Sequence, residues 1–190
     1  MDILLHAFIF QVLIGTIAAY KEEITYHGTT GQLLVALNTP SPFWMIKRSY
    51  NISKHSCVYA EMKFLNNSHY YFTQYYLEDN MPRRQELYAT IAAATKEEGT
   101  GGVTLTVHNP KAPSSPGRRY LLLHWDPQNH CGFLSFRNNS GHALCEMYAW
   151  NEDAGDALEK CATYYSIYCQ NSPTEQVVYN KDYCKAQLGC

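Results

Sequence analysis

The sequence predicts an all-β protein, an eight-stranded antiparallel up-and-down barrel with a C-terminal α-helix packed on its outside. Two observations predict this class. Aromatic residues make up 14% of the chain and 16 residues are tyrosine, a composition that favours strands and a wide aromatic interior. Eight strand-like segments also follow one another with turn-forming residues between them. Closing such a series into a barrel removes its exposed edges.

The eight strand segments are separated by runs rich in Asn, Asp, Gly and Pro. We expect strands at 43–50, 57–65, 69–77, 85–94, 103–108, 119–125, 130–136 and 142–149. Because side chains alternate along a strand, Val58, Ala60, Met62 and Phe64 fall on one face of the second segment. The third segment is aromatic on both faces, so its orientation stays open. A barrel of eight strands is about wide enough to hold one small ligand.

Two segments have helical spacing. Residues 154–169 repeat apolar side chains every three or four positions, and Asp153 or Asp156 is the candidate N-cap. Residues 30–37 predict a short helix below the barrel that ends before Pro40 and Pro42. The remaining segment, 170–190, is predicted to be a tail.

The N-terminus and the cysteines indicate secretion. The apolar run 3–14 is too short to span a bilayer and leads into small residues, which predicts a signal peptide over 1–18 and a single domain over 19–190. Seven cysteines fit an oxidising compartment. Three Asn-x-Ser sequons, at Asn51, Asn66 and Asn138, lie in predicted turns or loops. We therefore expect an extracellular glycoprotein.

Composition and motifs argue against several classes of function. The formal net charge of −2 and the dispersed basic pairs argue against a nucleic-acid partner. The sequence has no Gly-x-Ser-x-Gly elbow, no Gly-rich phosphate loop and no His-Glu-x-x-His, and its eight histidines are scattered. We expect a monomer that is not an enzyme and that has no cofactor, no metal and no membrane span. A binding protein is the predicted class.

The segment between Cys131 and Cys161 contains the most informative carboxylate, Glu146. It is in phase with Leu144, Tyr148 and Trp150 on the last predicted strand. Glu146 is either an ordinary solvent-facing residue or a carboxylate directed into an aromatic cavity. In a cavity it would supply a counter-charge for a cationic amine beside aromatic faces, whereas a sterol or a fatty acid would need the apolar walls alone.

Several short motifs, taken in order, resemble the tick salivary lipocalins of the histamine-binding family. They are Cys57-Val58, Cys131-Gly132-Phe133-Leu134, Glu146-Met147-Tyr148 and the later Cys161, and residues 43–50 resemble the family's first strand. The resemblance covers essentially the whole mature chain. It implies a lipocalin barrel with disulfides Cys57–Cys184 and Cys131–Cys161. For the third bridge we expect Cys169–Cys190, with Cys145 free, although a different third pairing stays open.

The sequence departs from the amine-binding members in one motif. Gly132 stands where those members carry an aspartate, and residues 51–56 contain no acid. Glu146 is retained, and without a counter-charge we expect it to be neutral and hydrogen-bonded. The residues expected to contact the ligand are Glu146, Tyr148, Tyr50, Phe43, Met62 and Phe133.

The resemblance implies a secreted protein that sequesters a small host mediator and modulates host inflammation or immunity. We favour an apolar lipid or sterol, such as cholesterol or an eicosanoid, as the ligand. Histamine or another biogenic amine is the alternative. A further alternative is an immune modulator that binds a host protein or cell through its exterior loops.

Overall fold

Eight antiparallel strands form the closed up-and-down barrel that the sequence predicts. The computed structural model describes residues 27–98, 101–169 and 174–186, so the predicted signal peptide and Cys190 lie outside the described residues. The strands are β1 (Phe43–Arg48), β2 (His55–Leu65), β3 (His69–Glu78), β4 (Met81–Ala93), β5 (Val103–His108), β6 (Arg118–Asp126), β7 (Cys131–Arg137) and β8 (Ala143–Trp150), followed by a two-residue strand, β9 (Gln176–Val177). The helices are α1 (Thr30–Leu37), α2 (Ala157–Lys160) and α3 (Ala162–Tyr168).

The C-terminal tail forms part of the barrel wall. Strands β2 to β8 pair in sequence order and β8 pairs with β1, but β1 meets β2 only at Phe43 and Trp44. Farther along β1, β9 pairs with it instead. The Cys57 N–H on β2 donates to the Val178 carbonyl at 2.9 Å, and the Val178 N–H donates to the Ile46 carbonyl at 2.9 Å. The tail therefore bridges β1 and β2, which the sequence did not indicate.

Helix α1 closes one end of the barrel. Thr29 and Gln32 form a capping box at its start, so two backbone N–H groups that the helix leaves unpaired are satisfied. Its face of Leu33, Ala36 and Leu37 is buried in the core of the barrel. The loops that follow β1, β3, β5 and β7 lie at the opposite end, which is the open one. Among residues 27–98, 101–169 and 174–186, no helix is long and apolar enough to cross a membrane.

The single C-terminal helix that the sequence predicts over 154–169 is wrong in detail. The segment forms two short helices, α2 and α3, which meet at Cys161. Cys161 has φ −103° and ψ 4° and is bonded to Cys131 on β7, so the chain departs from helical geometry at the residue that the bridge holds. Asp156 occupies the N-cap position but makes no capping hydrogen bond. Both helices pack on the outside of the barrel, where Ala157 and Tyr165 are buried.

The structure contains three disulfides within the described residues. Cys57 is bonded to Cys184 and Cys131 to Cys161, the two pairs that the resemblance implied. The third bridge joins Cys145 to Cys169, so the expected Cys169–Cys190 bridge and a free Cys145 are wrong. Alternation along β8 turns Cys145 outward while Glu146 points inward, and the end of α3 lies over it with a Cα–Cα distance of 5.3 Å.

One turn and one strand differ from the sequence prediction. The expected long loop before β4 is a two-residue hairpin at Asp79 and Asn80, which have φ values of 52° and 62°. Positive φ at both positions matches the type I′ turn that suits the twist of a hairpin. A bulge in β2 lies between Met62 and Phe64, so Phe64 leaves the inward face and is 50% exposed. Phe64 therefore does not share a face with Met62.

Candidate ligand-binding site

A cavity of about 1150 Å³ opens at the end of the barrel opposite α1. Its lining extends beyond the barrel interior to surface residues near Glu98 and Arg119, so the interior space is smaller than this volume. Inside the barrel the walls combine apolar residues with a few polar side chains. The apolar residues are Met45, Val58, Leu87, Val107 and Phe136, and the polar ones are Arg48, Tyr50, Gln74, Gln85, Arg118, Tyr120, Glu146 and Tyr148.

Glu146 is the buried carboxyl at the centre of this polar group. Its side chain is 1% exposed and points inward, which decides between the two directions that the alternation of β8 had left open. The Tyr148 hydroxyl donates to Glu146 Oε2 at 2.7 Å, and the Tyr50 hydroxyl donates to Oε1. Both carboxyl oxygens are therefore occupied by phenols of the protein before any ligand binds.

Burial controls the protonation of this cluster. Burial raises the pKa of Glu146, although the hydrogen bonds from Tyr50 and Tyr148 and the charges of Arg118 and Arg48 act in the opposite direction. Burial and the neighbouring Glu146 carboxyl raise the pKa values of Tyr50, Tyr148 and Tyr120. The phenols thus stay protonated over the physiological range, and the carboxyl is shifted toward its neutral form.

Two guanidinium groups lie beside this cluster. Arg48 is 1% exposed and is used by the protein itself: its Nε donates to Gln176 Oε1 at 2.9 Å, and its Nη2 donates to the His55 carbonyl at 3.1 Å. Arg118 stands at the rim, where its guanidinium carbon lies 4.6 Å from the centre of the Phe136 ring. Arg118 also interacts with Tyr120, and its position at the rim makes it a cation that a ligand at the cavity mouth can reach.

The deeper part of the barrel is apolar. A second space of about 60 Å³ lies below the main cavity, and its walls include Phe43, Phe72, Leu105 and Leu134. Tyr148 lines both spaces and stacks on Phe43 with ring centroids 5.2 Å apart. The barrel interior thus passes from a charged mouth to an apolar floor.

The position of the missing aspartate is filled by an aromatic ring. Gly132 faces the barrel floor, and a Cβ atom there would lie 3.0 Å from Cε3 of Trp125. Trp125 is 1% exposed and packs edge-on against Phe43. A Cβ at Gly132 would require this buried indole to shift by a few tenths of an ångström, so the packing of Trp125 disfavours a second acid at this site.

The structure brings together most, not all, of the predicted ligand residues. Glu146, Tyr148 and Tyr50 line the main cavity, and Phe43 lines the lower space. Met62 faces inward and packs against the core, but lines neither space.

Phe133 was wrongly placed in the ligand site. It lies on the outer face of β7, where its ring is 6.0 Å from the ring of Tyr168 in α3. Its side chain is fully buried, under the helices rather than in the barrel. Cys131, two residues earlier, faces the same side and is bonded to the helical segment at Cys161. That bridge was the sequence signal for the orientation of Phe133.

Sequence reasoning missed the two arginines. Arg118 shares the inward face of β6 with Tyr120 and Leu122, so the alternation of this strand could have identified it. The inward direction of Arg48 could not be predicted in this way, because a bulge between Met45 and Lys47 shifts the alternation of β1. Within the described residues, no group of three or more His, Cys, Asp or Glu side chains is placed to hold a metal ion.

A closed eight-stranded barrel with one open end and a ligand-sized cavity defines the protein as a lipocalin-type binding protein. The family model described as tick histamine binding protein matches residues 27–186, so the chain belongs to that family. A search of curated protein sequences found no significant match.

Solved structures show the same fold at low sequence identity. Japanin from Rhipicephalus appendiculatus, bound to cholesterol, matches with a TM-score of 0.53 and 11% identity, over 77% of this chain and 97% of Japanin. The AM182 serotonin complex matches with a TM-score of 0.57 and 14% identity, over 80% of this chain and 92% of AM182. Insecticyanin from the tobacco hornworm Manduca sexta has a TM-score of 0.49 and 8% identity, over 81% and 84% of the two chains.

Proposed function

We propose that this protein is secreted and binds a lipid with an acidic head group inside its barrel, and so sequesters a small host mediator and modulates host inflammation or immunity. An eicosanoid has the required chemistry, since it joins a carboxylate to a flexible apolar chain. The observation that carries this proposal is the charge of the cavity walls inside the barrel, where the guanidiniums of Arg48 and Arg118 accompany one buried carboxyl, Glu146.

The geometry supports a lipid whose head group lies at the mouth and whose tail points toward the floor. A guanidinium has five N–H donors, so Arg118 can donate to a carboxylate at the rim while it interacts with Tyr120, and such charge-assisted bonds are among the stronger ones. Phe136 beneath it, and the apolar side chains of Val58 and Val107 below, would remove the lipid tail from water. Burial of apolar area supplies about 25 cal/mol per Å².

A biogenic amine remains the second candidate, because one carboxyl and several aromatic rings do line the cavity. Glu146 would have to ionise against its raised pKa and share its oxygens between the ammonium group and the phenols of Tyr50 and Tyr148. The position of a second acid is occupied by Gly132 and Trp125. These features favour the lipid. Binding of a host protein or cell through the exterior loops is a third candidate.

Titration of the secreted protein with arachidonate, its methyl ester, cholesterol and histamine separates these candidates. We expect arachidonate to bind more tightly than the ester. Arg118→Gln should weaken arachidonate by about tenfold to a hundredfold and leave the ester unchanged, since a charged hydrogen bond contributes about 1.5–3 kcal/mol. Arg119→Gln is the matched control, because the Arg119 guanidinium pairs with Glu98 at 2.6 Å. Histamine binding that is lost in Glu146→Gln, without lipid binding, would replace the lipid proposal with the amine one.

A further inference from the structure

Two of the three sequons share one local pattern, in which a phenylalanine and one further residue are followed by Asn-Asn-Ser. The phenylalanine therefore lies two residues before the sequon asparagine. The first is Phe64-Leu-Asn66-Asn-Ser68 and the second is Phe136-Arg-Asn138-Asn-Ser140. Each closes a strand and starts the turn to the next strand. The sequence alone therefore gives no reason to expect the two sites to behave differently.

A β-bulge in β2 gives the two sequons different surroundings in the structure. In β2 the register shifts between Met62 and Phe64, and this shift turns Phe64 to the outer surface, where it is 50% exposed. In β7 the pairing with β8 is continuous, and Phe136 keeps the inward alternation and is 8% exposed. Only the first asparagine has an exposed ring beside it.

The exposed ring belongs to a small aromatic surface. Phe64 packs edge-on against Tyr71 of β3 with ring centroids 5.9 Å apart, and Tyr71 is itself 45% exposed. His69 lies beside Tyr71 with ring centroids 6.5 Å apart. A large apolar ring that stands half out of a strand loses the benefit of burial, so a covering group would stabilise this surface.

Asn66 is positioned to supply that covering group. Its Oδ1 accepts hydrogen bonds from the N–H groups of Ser68 at 2.9 Å and His69 at 2.7 Å, which orders the turn. Its amide nitrogen has no hydrogen-bond partner among the described residues and can carry a glycan without disturbing the turn. We infer that Asn66 is N-glycosylated and that the first sugar of the glycan packs on Phe64 and Tyr71, whereas a glycan on Asn138 has no such surface.

The modification is an ordinary group transfer and requires the secretory route that the proposed function includes. The Asn66 side-chain nitrogen attacks the anomeric carbon of an oligosaccharide carried on a polyprenyl pyrophosphate. The nitrogen–carbon bond forms, the bond between that carbon and the phosphate oxygen breaks, the amide loses one proton, and the lipid pyrophosphate leaves. The C–H groups on one face of the added pyranose then contact the exposed aromatic ring.

Melting temperatures of matched variants from secreting eukaryotic cells test the inference. Mass spectrometry should find a glycan on Asn66. Ser68→Ala should remove it and lower Tm by about 2–4 °C, because the ring becomes exposed again. Ser140→Ala should remove any glycan on Asn138 and leave Tm unchanged. In a Phe64→Thr background, Ser68→Ala should no longer lower Tm.

Further controls distinguish a failure of the glycan inference from a failure of the proposed function. If Ser68→Ala lowers Tm equally in unglycosylated protein made in bacteria, the serine itself is responsible and the inference is overturned. A secreted chain without a glycan on Asn66, or equal losses of Tm in Ser68→Ala and Ser140→Ala, also overturns it. Retention of the chain inside the cells would contradict the secretion part of the proposed function. Lipid titration of every variant shows whether the proposed lipid binding holds even where the glycan inference fails.

Discussion

Arg48 on β1 and Gln176 on β9 join the C-terminal tail to the mouth of the barrel. The Arg48 Nε donates to Gln176 Oε1 at 2.9 Å, and the same oxygen accepts the Ile52 N–H at 3.0 Å. One glutamine thus holds a buried guanidinium and the loop that follows β1. Because β9 fills the gap between β1 and β2, these contacts maintain the wall of the ligand cavity.

Loss of this contact should destabilise the fold. Gln176→Ala removes the acceptor that Gln176 Oε1 gives to the buried guanidinium of Arg48, and we expect the free energy of unfolding to fall by about 1–3 kcal/mol. Urea unfolding followed by tryptophan fluorescence measures the change. Gln128→Ala is the control, since Gln128 is exposed in the β6–β7 turn. Equal unfolding midpoints for the two variants would contradict the structural role of Gln176.

The disulfide pattern predicts different consequences for the loss of Cys145 and of Cys190. Non-reducing peptide mapping should recover Cys145 linked to Cys169. Cys145→Ser should lower the free energy of unfolding by about 2–4 kcal/mol, because it opens a loop that is closed in both the folded and the unfolded chain. Cys190→Ser should preserve all three bridges and the stability. Recovery of a Cys169–Cys190 peptide from the wild type would show that the structural pairing is wrong.

The buried carboxyl should make stability depend on pH in a defined direction. A raised pKa of Glu146 means that the folded chain holds its proton to higher pH than the unfolded chain does. Its contribution is therefore fully present below the ordinary carboxyl pKa and is lost as pH rises toward the raised value. Tyr50, Tyr148 and Tyr120 have raised pKa values and titrate above this window.

Glu146→Gln isolates this effect, because glutamine cannot ionise. We expect the stability of the wild type relative to Glu146→Gln to decrease as pH rises from about 4 to neutrality. Urea midpoints of the two proteins across this range measure the difference. A difference that stays constant with pH, or that increases, would show that Glu146 is ionised in the folded protein and would favour the amine candidate.

Regular alternation explains what the sequence could predict. The eight strand segments follow from patterns that the strands keep, and alternation put Glu146 on the same face as Tyr148, although only the family resemblance assigned that face to the ligand. The errors occur where other constraints intervene. A bulge in β2 turns Phe64 outward, and a bulge in β1 brings Arg48 inward. No local pattern marks either shift, because a bulge depends on how the partner strands pair.

The tail was unpredictable for a different reason. Gln176 and Val177 become a strand only because β1 and β2 separate and leave backbone groups that need partners. Cys169 likewise bonds Cys145 because the end of α3 lies over the outer face of β8. These contacts join residues far apart in sequence, so they depend on the assembled barrel rather than on local propensity.

Phe133 and Phe136 offer the sharpest test of which face of β7 meets the ligand. Both rings are buried, but Phe133 lies under α3 and Phe136 lines the cavity beneath Arg118. Phe133→Leu should lower the free energy of unfolding by about 1 kcal/mol and leave arachidonate affinity unchanged. Phe136→Leu should weaken arachidonate about threefold to tenfold, because the ring supports the guanidinium and contacts the lipid. Calorimetric titration and urea unfolding of both variants give the two quantities. If Phe133→Leu weakens binding as much as Phe136→Leu does, the outer placement of Phe133 is wrong and the original sequence prediction is right.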